Sequence, residues 1–159
     1  MYLRKRRLLA RLLCWVAIFS WMGCETKTVF HSYQSIPAKG WSRNDTLSFT
    51  FPARDSLLAY RLRIEVRNDE RYPFQELFLF VRRPNTKDTT LYVTDTVRCL
   101  LSDNEGNWKG KGLGAIYLSV HPYADLSLNA DSCKISISHG MEDAIIQGIN
   151  DVGLEIVKQ

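Results

Sequence analysis

The chain has 159 residues, about one domain's worth, and is 45% hydrophobic and 24% charged, which excludes a disordered tail, a collagen and a polytopic membrane protein. Of its 21 basic residues, Arg4, Lys5, Arg6, Arg7 and Arg11 all precede residue 24 with no acid among them, leaving 16 basic against 17 acidic residues, net −1, in the remainder. A domain so balanced has no electrostatic case for binding nucleic acid, which requires a basic patch on the folded surface.

The first 23 residues have a secretory layout: a basic segment from Met1 to Arg11, an apolar run from Leu12 to Met22, then Gly23 and Cys24. The apolar run holds 11 residues, well short of the ~18 of a spanning helix. Gly23 leaves room for a peptidase, and the Cys24 thiolate is placed to accept a diacylglyceryl group. The box Ser20-Trp21-Met22-Gly23-Cys24 resembles a bacterial lipobox, with Trp21 standing where Leu is expected. Cys24 is therefore the expected lipid attachment site; the competing reading is a cleaved leader without lipid. Acyl chains contribute about 0.8 kcal/mol per buried methylene, so three on one cysteine would hold the protein on a membrane outside the cytoplasm.

The expected organisation is a signal peptide over 1–23, a lipidated tether over 24–28 and one domain over 29–159. Alternation with period two dominates that domain. Leu47, Phe49 and Phe51 interleave with Thr46, Ser48 and Thr50, and Tyr60, Leu62, Ile64 and Val66 interleave with Arg61, Arg63, Glu65 and Arg67. Such alternation predicts strands with one wet face. Further strands are expected at 29–33, 77–82, 91–93, 97–101, 116–120, 134–138 and 154–158, about nine in all. Leu77 to Val81 (LFLFV) is apolar on both faces, which predicts a central strand covered on both sides, in a hairpin with the 60–67 strand through 68–74. One short helix is expected over Met141–Ile149, weakened by Gly148. The predicted fold class is all-β: an antiparallel β-sandwich or jelly roll.

No catalytic pattern emerges. His31, His121 and His139 are isolated, with no metal-ligand spacing, and there is no GxSxG. The carboxylates are scattered, so no glycosidase pair is nominated, although Asp95 and Asp103 stand at predicted strand ends. The Gly-rich segment Ser102 to Gly114 fails as a phosphate loop, being one residue short with Gly112 in place of Ser or Thr. It also fails as a calcium loop, because no Glu closes it. Trp108 within it either caps the core or stands exposed. The expectation is a protein that is no enzyme and holds no cofactor or metal. Cys99 and Cys133 are the thiols left after Cys14 and Cys24, and two readings stay open: a disulfide closing ~35 residues and contributing ~4 kcal/mol, or two buried thiols.

The order and wording of the segments resemble the gliding-motility lipoprotein GldH family of Bacteroidetes. The resemblance is carried by VFHSYQSIPAKGW from Val29, the stretch from Tyr60 containing VRNDERYPF, the ELFLFV strand, Thr94-Asp95-Thr96, Asn107-Trp108-Lys109-Gly110-Lys111-Gly112 and the closing GINDVGLEI. It implies a lipoprotein associated with the gliding machinery, partnered by the membrane through its anchor and by other gliding or secretion proteins of the envelope. It supplies no catalytic residue. Membership in that group also implies a periplasm-facing anchor, since only Glu25 follows Cys24 before Thr26 and Lys27. It further implies O-glycosylation at Asp-Ser/Thr tripeptides, here Thr46, Ser56, Thr89, Thr96 and Ser132; five of the ten Asp precede Ser or Thr. Two functions are expected to compete: a non-catalytic interaction component of the apparatus, and a glycan-binding jelly roll presenting Trp41, Trp108 and Tyr123.

Overall fold

A computed structural model describes residues 28–53, 59–127 and 130–158. Cys24, the tether up to Lys27 and Ser56 lie outside the described residues, while Thr28, expected in the tether, opens the first strand. Eleven strands follow one another: β1 (Thr28–Ser35), β2 (Trp41–Ser42), β3 (Leu47–Ala53), β4 (Ala59–Asp69), β5 (Glu76–Pro84), β6 (Tyr92–Leu100), β7 (Lys111–Leu113), β8 (Ile116–Ser127), β9 (Ala130–His139), β10 (Ile145–Ile146) and β11 (Ile149–Lys158). One sheet has the order β1-β11-β4-β8-β7, a second β3-β9-β5-β6, and β10 with β2 forms a short ribbon. All pairings are antiparallel. The all-β sandwich expected from alternation is the fold, with eleven strands among the described residues where about nine were expected.

The pleat explains the layers. On β4 the residues Leu62, Ile64 and Val66 face inward, and their register partners Ile156, Leu154 and Val152 on β11 do the same. The second sheet answers with Phe49 and Phe51 of β3, Ile135 and Ile137 of β9, and Leu77, Leu79 and Val81 of β5. Each such side chain contributes about 1.5–3 kcal/mol by leaving water. The rings of Phe30 and Phe51, 5.8 Å apart, join β1 to β3 along one side of the sandwich.

Three expectations are corrected. β4 and β5 form no hairpin: they belong to different sheets, and residues 70–75 carry the chain across the sandwich. β5 is central, flanked by β9 and β6, but between Leu77 and Val81 only the odd residues are fully covered; Phe78 and Phe80 face outward, Phe78 half-buried and Phe80 42% exposed. There is no helix over Met141–Ile149. That segment runs extended through β10, sends Ile146 and Ile149 into the core, and turns at Gly148, whose φ of 80° lies in the left-handed region.

His139 ends β9 inside the core, edge-on to Trp41 with ring centroids 5.4 Å apart. Burial and then the charge of Arg43 push its pKa down, partly opposed by the backbone of Trp41 and by Asp143 and Asp45; burial also lowers that of His121. The unfolded chain takes up protons on both near the ordinary value of about 6.5, whereas the folded protein does so only at lower pH. Stability is therefore full above that pH and falls as pH drops through it. Urea midpoints measured at pH 7.5 and 5.5 should show this loss, and His139→Phe should shrink it. The depressed carboxylates, Asp69 and Asp95 among them, act only at lower pH.

Candidate interaction site

The outer face of the five-stranded sheet is a lattice of ion pairs set by register. Arg61 stands opposite Asp125 and pairs with it at 3.1 Å; Arg63 stands opposite Glu155 and pairs at 3.2 Å; Arg67 stands opposite Asp151, 3.7 Å away. Glu65 is only 6% exposed, because His31 bonds it at 3.0 Å and the Tyr33 hydroxyl donates to the same carboxylate oxygen. Both partners come from β1, one strand beyond β11. They reach across because the intervening residue is Gly153: a Cβ there would stand 2.7 Å from the Tyr33 ring. Arg67 lies over that ring at 3.7 Å. Burial and the neighbouring carboxylate push the Tyr33 hydroxyl up to about 12. Such exposed pairs contribute little individually, but together they leave this face electrically closed on itself. His31 is thus not isolated: its partner is distant in sequence, and the only signal was the Arg-Glu alternation of residues 61–67.

The outer face of the four-stranded sheet is different. Phe78 and Phe80 stand on β5 between Ser138 of β9 and Thr96 and Arg98 of β6. Beside them Phe74, 37% exposed, lines a groove of about 370 Å³ with Phe78, Gly140, Met141, Glu142 and Asp143. The groove floor is fixed: the Gly140 N–H donates to the Phe78 carbonyl at 2.7 Å, and the Phe78 N–H reaches the Met141 sulfur at 3.4 Å. A Cβ at Gly140 would stand 2.9 Å from the tip of the exposed Phe80 ring, which would have to swing aside. At the sheet edge Arg82 stacks on Tyr92 at 4.3 Å.

The residues nominated from sequence do not converge. Trp41 is wholly buried, a core side chain rather than a presented one. Trp108 packs against the core and lies 5.6 Å from the Tyr117 ring, so it caps the sandwich. Tyr123 is the extra residue of a bulge in β8 opposite Leu62 and Arg63. Its hydroxyl donates to Asp95 at 2.5 Å, and Arg83 Nε donates to Asp95 at 2.7 Å and to the Tyr123 oxygen at 2.9 Å. This link ties the two sheets together. Burial would raise the Asp95 carboxyl, but the bonds from Tyr123 and Arg83 outweigh it and hold it below the usual range. Asp103 serves its own turn, accepting from the N–H groups of Glu105 and Asn107 at 3.0 and 2.8 Å. Asp88 likewise accepts from Thr90 N–H and hydroxyl. Among the described residues no three metal-ligating side chains gather. Thr46, Thr96 and Ser132 are exposed and Thr89 is half-buried.

Cys99 and Cys133 are buried free thiols. β5 separates their strands, and two strand spacings, about 10 Å, exceed the roughly 7 Å that a disulfide spans. They also sit at opposite ends: Cys99 faces Leu77, whereas β5 meets β9 only from Leu79 to Arg82, opposite His139 to Ser136. Burial pushes the Cys99 thiol up to about 12 and raises that of Cys133. Native protein should therefore resist iodoacetamide, and denaturation without reductant should yield both cysteines alkylated by mass spectrometry.

The family model described as GldH lipoprotein matches residues 28–156. The chain is 28% identical over 152 residues to the gliding motility lipoprotein GldH of Flavobacterium johnsoniae, covering 91% of this chain and 92% of that protein. It is 29% identical over 154 residues to a GldH homolog of Christiangramia forsetii, covering 90% of each. Among solved structures, dimeric latent PorU from Porphyromonas gingivalis is a slight likeness: TM-score 0.32, 9% identity, covering 86% of this chain and 14% of that one.

Proposed function

Because this chain belongs to the GldH lipoprotein family, we propose that it is a lipid-anchored, non-catalytic interaction component of the gliding-motility apparatus and its associated secretion machinery. The observation that carries this reading is the contrast between the two outer faces. One is closed by its own ion pairs; the other presents Phe74 and Phe80 to solvent, with the half-buried Phe78 lining a preformed groove beside them. A surface built from apolar area works by docking. The carboxylates that a hydrolase would need free, Asp95 and Asp103, are engaged in a sheet-to-sheet link and in a turn.

Cys24 after Gly23 is the proposed lipid attachment, and the single acid Glu25 in the tether supports a periplasm-facing orientation. Thr46, Thr96 and Ser132, with exposed hydroxyls after Asp, are the proposed O-glycan acceptors. The glycan-binding alternative is disfavoured by the burial of Trp41 and the internal engagement of Tyr123. Labelled palmitate tests the anchor: Cys24→Ala should abolish incorporation, release the protein from membranes and, in a gliding host, abolish spreading. A mutant that remains labelled and membrane-bound overturns it.

A further inference from the structure

Carboxylates on the two sheets are nearly all matched by cations: Glu155 by Arg63, Asp151 by Arg67, Glu76 by Arg98, Asp95 by Arg83. Loop carboxylates such as Asp45, Glu70 and Glu105 have no such match among the described residues, and neither do Glu142 and Asp143 between β9 and β10, which differ from those in lining an aromatic groove. Both are exposed, neither forms an ion pair among the described residues, and both line the groove that Phe74, Phe78 and Met141 floor. Unneutralised acid thus stands beside the exposed rings of Phe74 and Phe80. Arg43, the nearest cation of the same corner, spends its guanidinium on the carbonyls of Met141 and Glu142, which fixes the rim without pairing the carboxylates.

We propose that this groove docks a basic, apolar-anchored segment of a protein partner, one aliphatic or aromatic side chain flanked by Arg or Lys. The apolar side chain enters between Phe74, Phe78 and Met141, and the flanking cations meet Glu142 and Asp143 and stack on the exposed ring faces. Complementary charge selects this occupant over two others. An anionic bilayer would press phosphates against the acidic rim, and a second copy of the chain would bring an identical acidic rim to it. The proposal rests on reading the domain as an interaction module and specifies its ligand.

Met141 is the sole methionine after residue 23, so its methyl group is a unique reporter within the groove. The mature lipoprotein, labelled with ¹³C at the Met methyl and held in zwitterionic nanodiscs, is titrated with the peptide Gly-Arg-Phe-Leu-Arg-Gly and with its counterpart carrying Glu for both Arg. The expected result is a saturable shift of the Met141 methyl with the Arg peptide alone. It should weaken at least fivefold in the Glu142→Gln, Asp143→Asn variant and disappear in Phe74→Ser, whose side chain is exposed enough to change without unfolding. Absence of a shift up to millimolar peptide, an equal response to the Glu peptide, or an undiminished response in the charge variant overturns the proposal. So does a shift on transfer to anionic nanodiscs without peptide, which would assign the groove to lipid. A silent groove in a protein whose motility role is still lost by substitutions on another face would remove this ligand and leave the interaction reading standing.

Discussion

Replacing Trp41 with Ala should cost about 3–5 kcal/mol, the range for truncating a fully buried large aromatic. Trp41 is 0% exposed; it pairs with Ile146 across the β2–β10 ribbon, meets His139 edge-on, and donates its indole N–H to the Asp45 carbonyl at 3.1 Å. Truncation empties the place where the ribbon closes the sandwich and leaves that carbonyl without its donor. Against a total stability of roughly 5–15 kcal/mol the loss is large, and it should lower the melting temperature by roughly 10–20 °C. Trp41→Phe keeps most of the volume and should cost less. A presented, sugar-stacking tryptophan would behave oppositely, its removal leaving the melting temperature unchanged.

Gly148→Ala should be nearly as damaging, for a different reason. Gly148 has φ +80°, and a Cβ built on it would stand 2.1 Å from the Tyr72 nitrogen and 2.6 Å from the Arg71 carbonyl carbon. These are backbone atoms of a turn that cannot yield cheaply. Its Asp69 N–H donates to the Gly148 carbonyl at 2.9 Å, and Arg71 pairs with the Asp69 carboxylate at 2.6 Å. The left-handed conformation costs a Cβ-bearing residue about 1–2 kcal/mol, and the overpacking adds about 1–3 kcal/mol. Gly106 provides the control. Its φ is +85°, but nothing lies within 4 Å of a built Cβ, so Gly106→Ala should show only the conformational cost. Equal urea midpoints for the two variants would contradict this account.

Local information was well written in the sequence. Alternation over 47–51 and 60–67 located β3 and β4 and oriented their faces, because a period of two has one physical meaning on a pleated strand. What alternation does not carry is the identity of the neighbour. Residues 60–67 and 77–81 looked like a hairpin, yet the chain crosses to the other sheet. His31 looked solitary, yet Glu65 lies two strands away once β11 is inserted between them. The LFLFV run looked covered on both sides, yet Phe78 is half-buried and Phe80 exposed, because only the inner face of β5 has a second sheet packed on it. Residues 141–149 offered helical spacing, but a nine-residue segment with an internal Gly gains little as a helix and more by placing Ile146 and Ile149 in the core.

The resemblance that placed the chain in its family was carried by segments that now have physical roles. VFHSYQS brings His31 and Tyr33 to Glu65, and VRNDERYPF supplies Arg67, the Asp69–Arg71 turn and Phe74 of the groove. GINDVGLEI supplies Gly148 against that turn, and Gly153 beneath Tyr33. The groove acids Glu142 and Asp143 lie outside all of them, so neither motif nor periodicity pointed to that rim.

The proposed role has the domain acting through the exposed area of its four-stranded face and not through a reactive group. Complementation of a deletion strain of a gliding host tests it most directly, comparing colony spreading of an allele carrying Phe74→Ser with Phe80→Ser against alleles with single polar substitutions such as Asp103→Asn. Phe74 and Phe80 are exposed, so the double variant should fold, localise normally and fail to spread, while Asp103→Asn spreads. A spreading Phe74/Phe80 double variant, or a folded and membrane-bound Asp103→Asn protein that cannot spread, would contradict the account.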